Sequence, residues 1–288
     1  MTALHPNRED LHDRTLRFRT EGSDMNARMM RVGRQELWVA VKPGTKDRPP
    51  LLLFNGIGAN LELAEPFMRA MDERECVIFD IPGVGGSPPP ALPYRPSTIA
   101  RWAAGIVEQL GYKTVDVAGV SWGGGAAQQF AHQYPKICRK LVLAATSPGA
   151  IMVPGSPSVL WKMASPRRYT DKAYMHSIAA DIYGGAFRRD PELIGAHARN
   201  MKGASDIGYL FQLLAMTGWS SLPWLHTLPQ PTLVLMGKDD PLVPLVNGRI
   251  LTKLIRNARL QVIDDGHLFF VTQPRETAQI VQRFLDES

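Results

Sequence analysis

Cysteine is nearly missing: the 288 residues contain two, Cys76 and Cys138. Two such residues give no disulfide framework, and a reducing cytoplasm suits a pair of buried free thiols. Cys76 is expected to open a buried strand and Cys138 to lie just before another. No run of 18 or more apolar residues occurs, so no membrane-spanning helix is expected. Residues 1–30 are crowded with Arg, Asp, Glu and His and lack the apolar segment of a secretory signal. Charge of one sign is not concentrated either. The chain has 33 basic and 27 acidic side chains, a net charge of +6, and no dense basic block interleaved with aromatics. That argues against nucleic acid as a partner and leaves only a weak pull toward anionic surfaces. Histidines and carboxylates lack zinc-type spacing, so no metal is expected. There is no G-x-x-x-x-G-K-[ST]. In Asp80-Ile81-Pro82-Gly83-Val84-Gly85-Gly86-Ser87, Pro88 stands where the third glycine of G-x-G-x-x-G would be. This segment is read as a structural turn, and no cofactor is expected.

What is present is an alternation of short apolar runs with helical segments. Strand-like runs are Leu37 to Val41, Leu51 to Phe54, Val77 to Phe79, Val115 to Val117, Leu141 to Leu143, Leu233 to Leu235 and Leu260 to Ile263. Several are continuously apolar, the pattern of strands covered on both faces. Between them, Ile99, Trp102, Ala103, Ile106 and Leu110 share one helical face. Ser97 or Thr98 is available to cap its start and Gly111 its end. The alternation predicts an α/β domain with a mostly parallel central sheet. It breaks over residues 147–228, which are rich in Trp, Tyr, Phe and Met but hold no obvious core strand. The expected organisation is therefore a tail over 1–25, taken to be disordered, a first core segment over 26–146, a helical cap insertion over 147–228 and a second core segment over 229–288. Prolines at 88–90, 93 and 96 mark an extended surface loop.

Gly119-Val120-Ser121-Trp122-Gly123 carries the chemistry. The β-branched run Thr114-Val115-Asp116-Val117-Ala118 precedes this G-x-S-x-G, and a small-residue helical start follows it. Strand, sharp turn and helix are the setting of a nucleophile elbow, in which small residues let strand and helix approach and the hydroxyl stand at the tip. A serine needs a base. A lone histidine is more often structural, but His267 follows the last strand run, where Gly266 helps expose it at the sheet edge. His132, His5, His12, His176, His197 and His226 are read as surface or packing residues. The base needs an acid to fix its tautomer. Asp239 and Asp240 stand together after the strand over 232–236. Asp240 is chosen because Pro241 holds the chain beside it, while Asp239 serves the turn. The order Ser121, Asp240, His267 is that of the α/β hydrolases. Two amides are expected to hold the oxyanion, those of Trp122 and of Ile57 in the loop Asn55-Gly56-Ile57-Gly58-Ala59-Asn60. Losing one such donor costs about 3–4 kcal/mol of barrier.

With these residues in view, the chain resembles the α/β-hydrolase superfamily and, within it, the intracellular medium-chain-length polyhydroxyalkanoate depolymerases. The resemblance runs through Phe54 to Glu62, Phe79 to Ser87, Gly119 to Pro135, Ala144 to Tyr169, Ile182 to Leu193 and Ile263 to Thr272. Met152-Val153-Pro154-Gly155 and Met163-Ala164-Ser165-Pro166-Arg167-Arg168-Tyr169 in the insertion are its most specific parts. It implies an α/β-hydrolase fold with a helical cap. It also implies a cytoplasmic serine hydrolase associated with polyester granules, cutting ester bonds between 3-hydroxyalkanoate units with aliphatic side chains. Its nucleophile, acid and base fall on Ser121, Asp240 and His267. Residues 1–25 lie outside it. A carboxylesterase for small esters, a carbon–carbon bond hydrolase and a non-catalytic receptor of the same fold are the alternatives. Oligomeric state is not readable.

Overall fold

The computed structural model describes residues 25–165, 167, 171–190, 192–195 and 205–287. The tail expected over 1–25, all but Met25, and His5, His12 and His197 lie outside them.

Among the described residues, eight strands form one sheet in the order β1-β2-β4-β3-β5-β6-β7-β8. They are β1 (Asn26–Val32), β2 (Gln35–Lys42), β3 (Leu51–Phe54), β4 (Cys76–Phe79), β5 (Val115–Val120), β6 (Cys138–Ala144), β7 (Thr232–Gly237) and β8 (Ala258–Ile263). β1 and β2 pair antiparallel, as do β2 and β4, and every pairing from β4 through β3 to β8 is parallel. The expected mostly parallel α/β sheet is what the chain forms. β3, β4, β5 and β7 are buried along their whole length, because helices cover both faces and leave no side facing water. On one face Leu52, Phe54, Val117 and Leu143 pack with Ile99, Ile106 and Phe130 of α2 (Pro96–Gln109) and α3 (Trp122–Gln133). On the other, Leu51, Leu53, Ala118 and Val142 meet Phe67, Met68, Phe269 and Phe284, from α1 (Glu65–Ala70), α9 (Phe269–Thr272) and α10 (Pro274–Asp286). α8 (Leu245–Leu254) crosses between β7 and β8.

Three local expectations need correction. Strand β1 was not anticipated. It is an edge strand whose side chains are mostly exposed, so it carries no apolar alternation, and a hairpin turn through Gly33 (φ 62°) joins it to β2. Helix α2 starts at Pro96, with Arg95 at its cap position and no side-chain cap. Pro96 thus belongs to the helix, where its fixed φ and missing N–H cost nothing in the first turn, and neither Ser97 nor Thr98 caps it. Cys138 opens β6 instead of preceding it.

Between β6 and β7 the described elements are α4 (Pro157–Ala164), α5 (Lys172–Tyr183), α6 (Ala186–Arg189) and α7 (Asp206–Met216). Ser156, Asp171 and Ser205 cap α4, α5 and α7 with their side chains, the usual way of satisfying the first free N–H groups of a helix. In this stretch one isolated bridge, Gly149 to Ser220, is the only strand-type pairing among the described residues.

At the end of the sheet away from these helices, Asp116 is buried and salt-bridged by Arg74 at 3.0 Å and Arg139 at 2.6 Å. Arg74 also pairs with Asp286, and Arg139 and Lys140 donate to the carbonyls of Leu285 and Phe284 at 2.8 and 3.0 Å. These bonds fasten the last turn of α10 to the starts of β5 and β6.

Candidate active site

Strand order reverses its direction of growth at β3: the chain adds β4 on one side and then returns to add β5 on the other. At such a switch point the loops leaving two adjacent strands splay apart and open a crevice. The two loops here are 55–60 after β3 and residue 121 after β5. The pairing of Phe54 with Gly119 sets them side by side.

Ser121 occupies a strained position, φ 55° and ψ −122°. Left-handed φ is costly for a residue with a Cβ, and the surroundings over-determine it. Its N–H donates to the Ala144 carbonyl at 2.8 Å, and its own carbonyl accepts from Gly124 N–H at 2.9 Å and Thr146 Oγ1 at 2.7 Å. The turn closes only because its flanks lack side chains. A Cβ on Gly119 would stand 2.5 Å from the Gly123 carbonyl oxygen, and one on Gly123 would stand 2.3 Å from that of Phe54.

The loop after β8 brings His267 to the same place, 3% exposed. Its Nε2 lies 2.9 Å from Ser121 Oγ, and its Nδ1 lies 2.7 Å from Asp240 Oδ2. With the proton on Nδ1, the ring donates to Asp240 and accepts from the serine hydroxyl. The other oxygen of Asp240 accepts the N–H groups of Leu242 and Val243, both at 2.9 Å. Pro241, which has no N–H to compete, lies between Asp240 and Leu242. Four bonds therefore orient the two partners of the imidazole before any substrate arrives.

Asp239 faces the other way. It accepts Gly185 N–H at 2.8 Å and pairs with Arg188. Its carboxylate thus fastens the junction of α5 and α6 in place of serving its own turn. Asp265 does the same with Ala186 N–H at 2.6 Å, and His267 N–H donates to the Tyr183 carbonyl at 2.7 Å. Gly184 and Gly185 have φ of 65° and 49°, and a Cβ on Gly185 would lie 1.9 Å from Gly266 N. The segment between β6 and β7 and the histidine loop are sewn together along this seam.

Ile57 lines a pocket together with Ser121 and His267. The remaining wall is chiefly apolar, with Leu63, Met163, Leu268 and Phe270 among its members, and the space not filled by atoms is about 700 Å³, part of it open solvent. Trp122 is the first residue of α3, where N–H groups lack intrahelical acceptors and the helix favours negative charge. Its indole points away from the pocket and donates to the Gln212 carbonyl of α7 at 2.9 Å.

The remaining sequence candidates sit elsewhere. The Asp80 to Ser87 segment is a turn built on the buried Asp80, whose carboxylate accepts Leu61 N–H at 2.7 Å and Gly86 N–H at 2.8 Å. His132 stacks on Trp224 with ring centroids 4.3 Å apart, and His176 and His226 are exposed. Sequence reasoning missed Gln212, which is 1% exposed and accepts Gly58 N–H at 2.7 Å through Oε1. The available signal was a single amide within the apolar helical stretch Tyr209 to Met216.

A family model described as the alpha/beta hydrolase fold matches residues 49–274. The chain is 53% identical over 261 residues to a poly(3-hydroxyalkanoate) depolymerase of Ectopseudomonas oleovorans, covering 90% of this chain and 92% of that one. It is 25% identical to 3-oxoadipate enol-lactonase 2 of Acinetobacter baylyi, over 81% of this chain and 86% of that one. Among solved structures, the enol-lactonase of Burkholderia xenovorans LB400 superposes with a TM-score of 0.79 at 21% identity, covering 90% of this chain and all of that one. That last likeness speaks to the fold.

Proposed function

The chain belongs to the α/β-hydrolase fold family, and from that membership we propose that it is a serine hydrolase cutting the ester bonds of poly(3-hydroxyalkanoate) with aliphatic side chains. The observation that carries the reading is the hydrogen-bonded line from Ser121 through His267 to Asp240 opening onto an apolar pocket. The relative that is 53% identical is a depolymerase of this polymer class.

In the proposed reaction His267 Nε2 takes the Ser121 proton as Oγ adds to the ester carbonyl. Asp240 stabilises the imidazolium that results. The carbonyl oxygen, now negative, is held by the amides of Trp122 and Ile57. Collapse of the intermediate expels the alkoxide end of the polymer, which His267 protonates, and leaves an ester on Ser121. Water gives its proton to His267 and attacks that ester; as the second intermediate collapses, His267 returns the proton to Ser121 Oγ, releasing the hydroxyacid and the free serine. The residues need no cofactor for any of these proton transfers.

An insoluble substrate also needs a place to dock. No helix among the described residues is long and apolar enough to cross a membrane. The proposal puts the enzyme in the cytoplasm at the surface of polyester granules. Support comes from α7, where Ile207, Leu210 and Leu214 form an exposed stripe at helical spacing, and from Trp161 of α4, which is 82% exposed. Isolated exposed apolar residues are ordinary, whereas a stripe of them marks a contact surface.

Mass analysis of the products from medium- and short-chain polyesters tests the reading. The expected result is release of 3-hydroxyacids or their oligomers by the wild type and none by Ser121→Ala. Turnover confined to a vinylogous diketone would make the protein a carbon–carbon bond hydrolase instead. Failure of the wild type to take up a serine-directed fluorophosphonate would favour a receptor. Sedimentation with medium-chain polyester particles tests the docking part, which fails if an unrelated protein of similar charge sediments equally.

A further inference from the structure

Gln212 touches both loops that frame the proposed oxyanion pocket, by different parts of the same residue. Its Oε1 accepts Gly58 N–H at 2.7 Å, one residue beyond Ile57, and its main-chain carbonyl accepts the indole N–H of Trp122 at 2.9 Å. The helix that carries it is held at both ends by the core. At its start, Ser205 N–H and Oγ both donate to the Gly83 carbonyl at 3.0 Å, and Gly208 packs directly on Gly83. Near its end Arg95 donates to the Thr217 carbonyl at 3.0 Å. The helix is thus a beam laid across the core, and Gln212 is its point of contact with the site.

The chemistry of that contact is one-sided. Gln212 is fully buried, its Oε1 is used, and its Nε2 has no hydrogen-bond partner among the described residues. An unpartnered buried amide nitrogen is a cost to the fold. The side chain cannot rotate to relieve it, because that would set its NH₂ against the N–H of Gly58. The bond that Gln212 does make holds the loop after β3 at a fixed distance from residue 122. Oxyanion stabilisation depends steeply on that distance, since the donors must stand about 2.7–3.1 Å from an oxygen that exists only in the transition state.

We infer that Gln212 is a positioning residue for the oxyanion pocket, through which the insertion sets the spacing of the two proposed amide donors. The inference rests on the serine hydrolase reading and extends it to a residue that touches no substrate. Moving α7 would move both donors and change turnover more than ground-state binding.

Gln212→Met tests it, because it keeps length and removes the acceptor. Turnover is read on 4-nitrophenyl octanoate, a soluble ester that makes the result independent of granule docking. The variant should lose about tenfold or more in kcat with KM within about twofold. An alkyl trifluoromethyl ketone forms an oxyanion when Ser121 Oγ adds to it and His267 takes the proton. Its inhibition constant should rise by the same factor as kcat falls, while that of the matching trifluoromethyl carbinol, which forms no oxyanion, stays within about twofold. A folded variant with kcat and ketone affinity within about twofold of wild type overturns the inference. So does a loss that falls equally on KM and on the carbinol, which would mark Gln212 as packing alone. If Gln212→Met does not fold, Trp122→Phe serves. It keeps the main-chain amide of residue 122, removes the indole N–H that holds the Gln212 carbonyl together with part of the ring, and should give the same pattern at smaller size. An unchanged kcat there overturns the inference equally. An inert wild type or an active Ser121→Ala overturns the hydrolase reading itself, a result these controls separate from a failure confined to Gln212.

Discussion

Ser121 and the paired aspartates 239 and 240 are where single atoms decide the outcome. Ser121→Ala removes the hydroxyl that lies 2.9 Å from His267 Nε2 and leaves the turn otherwise as built. Ester turnover should fall by at least about four orders of magnitude with an unchanged circular dichroism spectrum; retained activity would end the assignment of the nucleophile. Asp240→Asn should lower kcat by about 10⁴ by favouring the wrong imidazole tautomer. Asp239→Asn, whose side chain bonds Gly185 and Arg188, should stay near wild type on a soluble ester at low temperature. The reverse ranking would shift the acid by one residue. The convergence of Ser121, His267 and Asp240 was legible because each residue type has a narrow chemical use at a strand end. The partners of Asp239 were not legible, since Gly185 and Arg188 belong to the helical segment between β6 and β7, whose placement over the sheet no local pattern encodes. Gln212 escaped for the same reason: its meaning comes from Gly58, distant in sequence and joined only by the fold.

Elements were legible in proportion to how deeply they are buried. β3 was bounded correctly because four apolar residues in a row have no other use in a parallel sheet. β5 and β7 were read too short because Gly119, next to last in β5, and Gly237, last in β7, carry no apolar signal and are small for packing reasons. At Gly237 a Cβ would lie 2.1 Å from the Gly266 carbonyl oxygen. β1 was invisible because its register with β2 is fixed by main-chain pairing and one face meets water. Two predictions belong at this scale. Gly123→Ala pushes a methyl group to within 2.3 Å of the Phe54 carbonyl, which is backbone and cannot swing aside. Overpacking of this kind costs about 1–3 kcal/mol, so the urea midpoint should drop, and the loop bearing Ile57 should shift with it. Leu210→Lys combined with Leu214→Lys places two charges on the exposed stripe of α7. Sedimentation with polyester particles should fall while turnover of a soluble ester stays within about twofold; equal loss of both would show that the stripe supports the fold and not docking.

For the molecule as a whole, the two ends of the sheet do different work. The C-terminal edge carries the candidate site and the helices between β6 and β7, and the opposite edge carries the ion cluster around Asp116. Removing the charge with Asp116→Asn strands Arg74, which is 1% exposed, without its principal buried counter-charge. Loss of one member of a buried pair costs about 3–5 kcal/mol, so chemical denaturation should report a large loss of stability while the kcat of the remaining folded protein is little changed. Cys76 and Cys138 report on the same body. Both are buried and free, and burial pushes the Cys76 thiol up to about 12 and the Cys138 thiol well above its ordinary value. Neither should react with a thiol reagent at pH 8 until the protein unfolds; rapid labelling of the native state would contradict the buried placement.

The seam joining residues 183–186 to 265–267 has a thermal corollary. Since the imidazole loop is tied to the roof as firmly as to the strands below, warming that loosens the roof must misalign the proton relay first. Ester turnover should vanish several degrees below the collapse of far-ultraviolet ellipticity, and Asp239→Asn, by cutting one stitch, should widen that interval. The enzyme would be silenced by heat while its sheet was still intact.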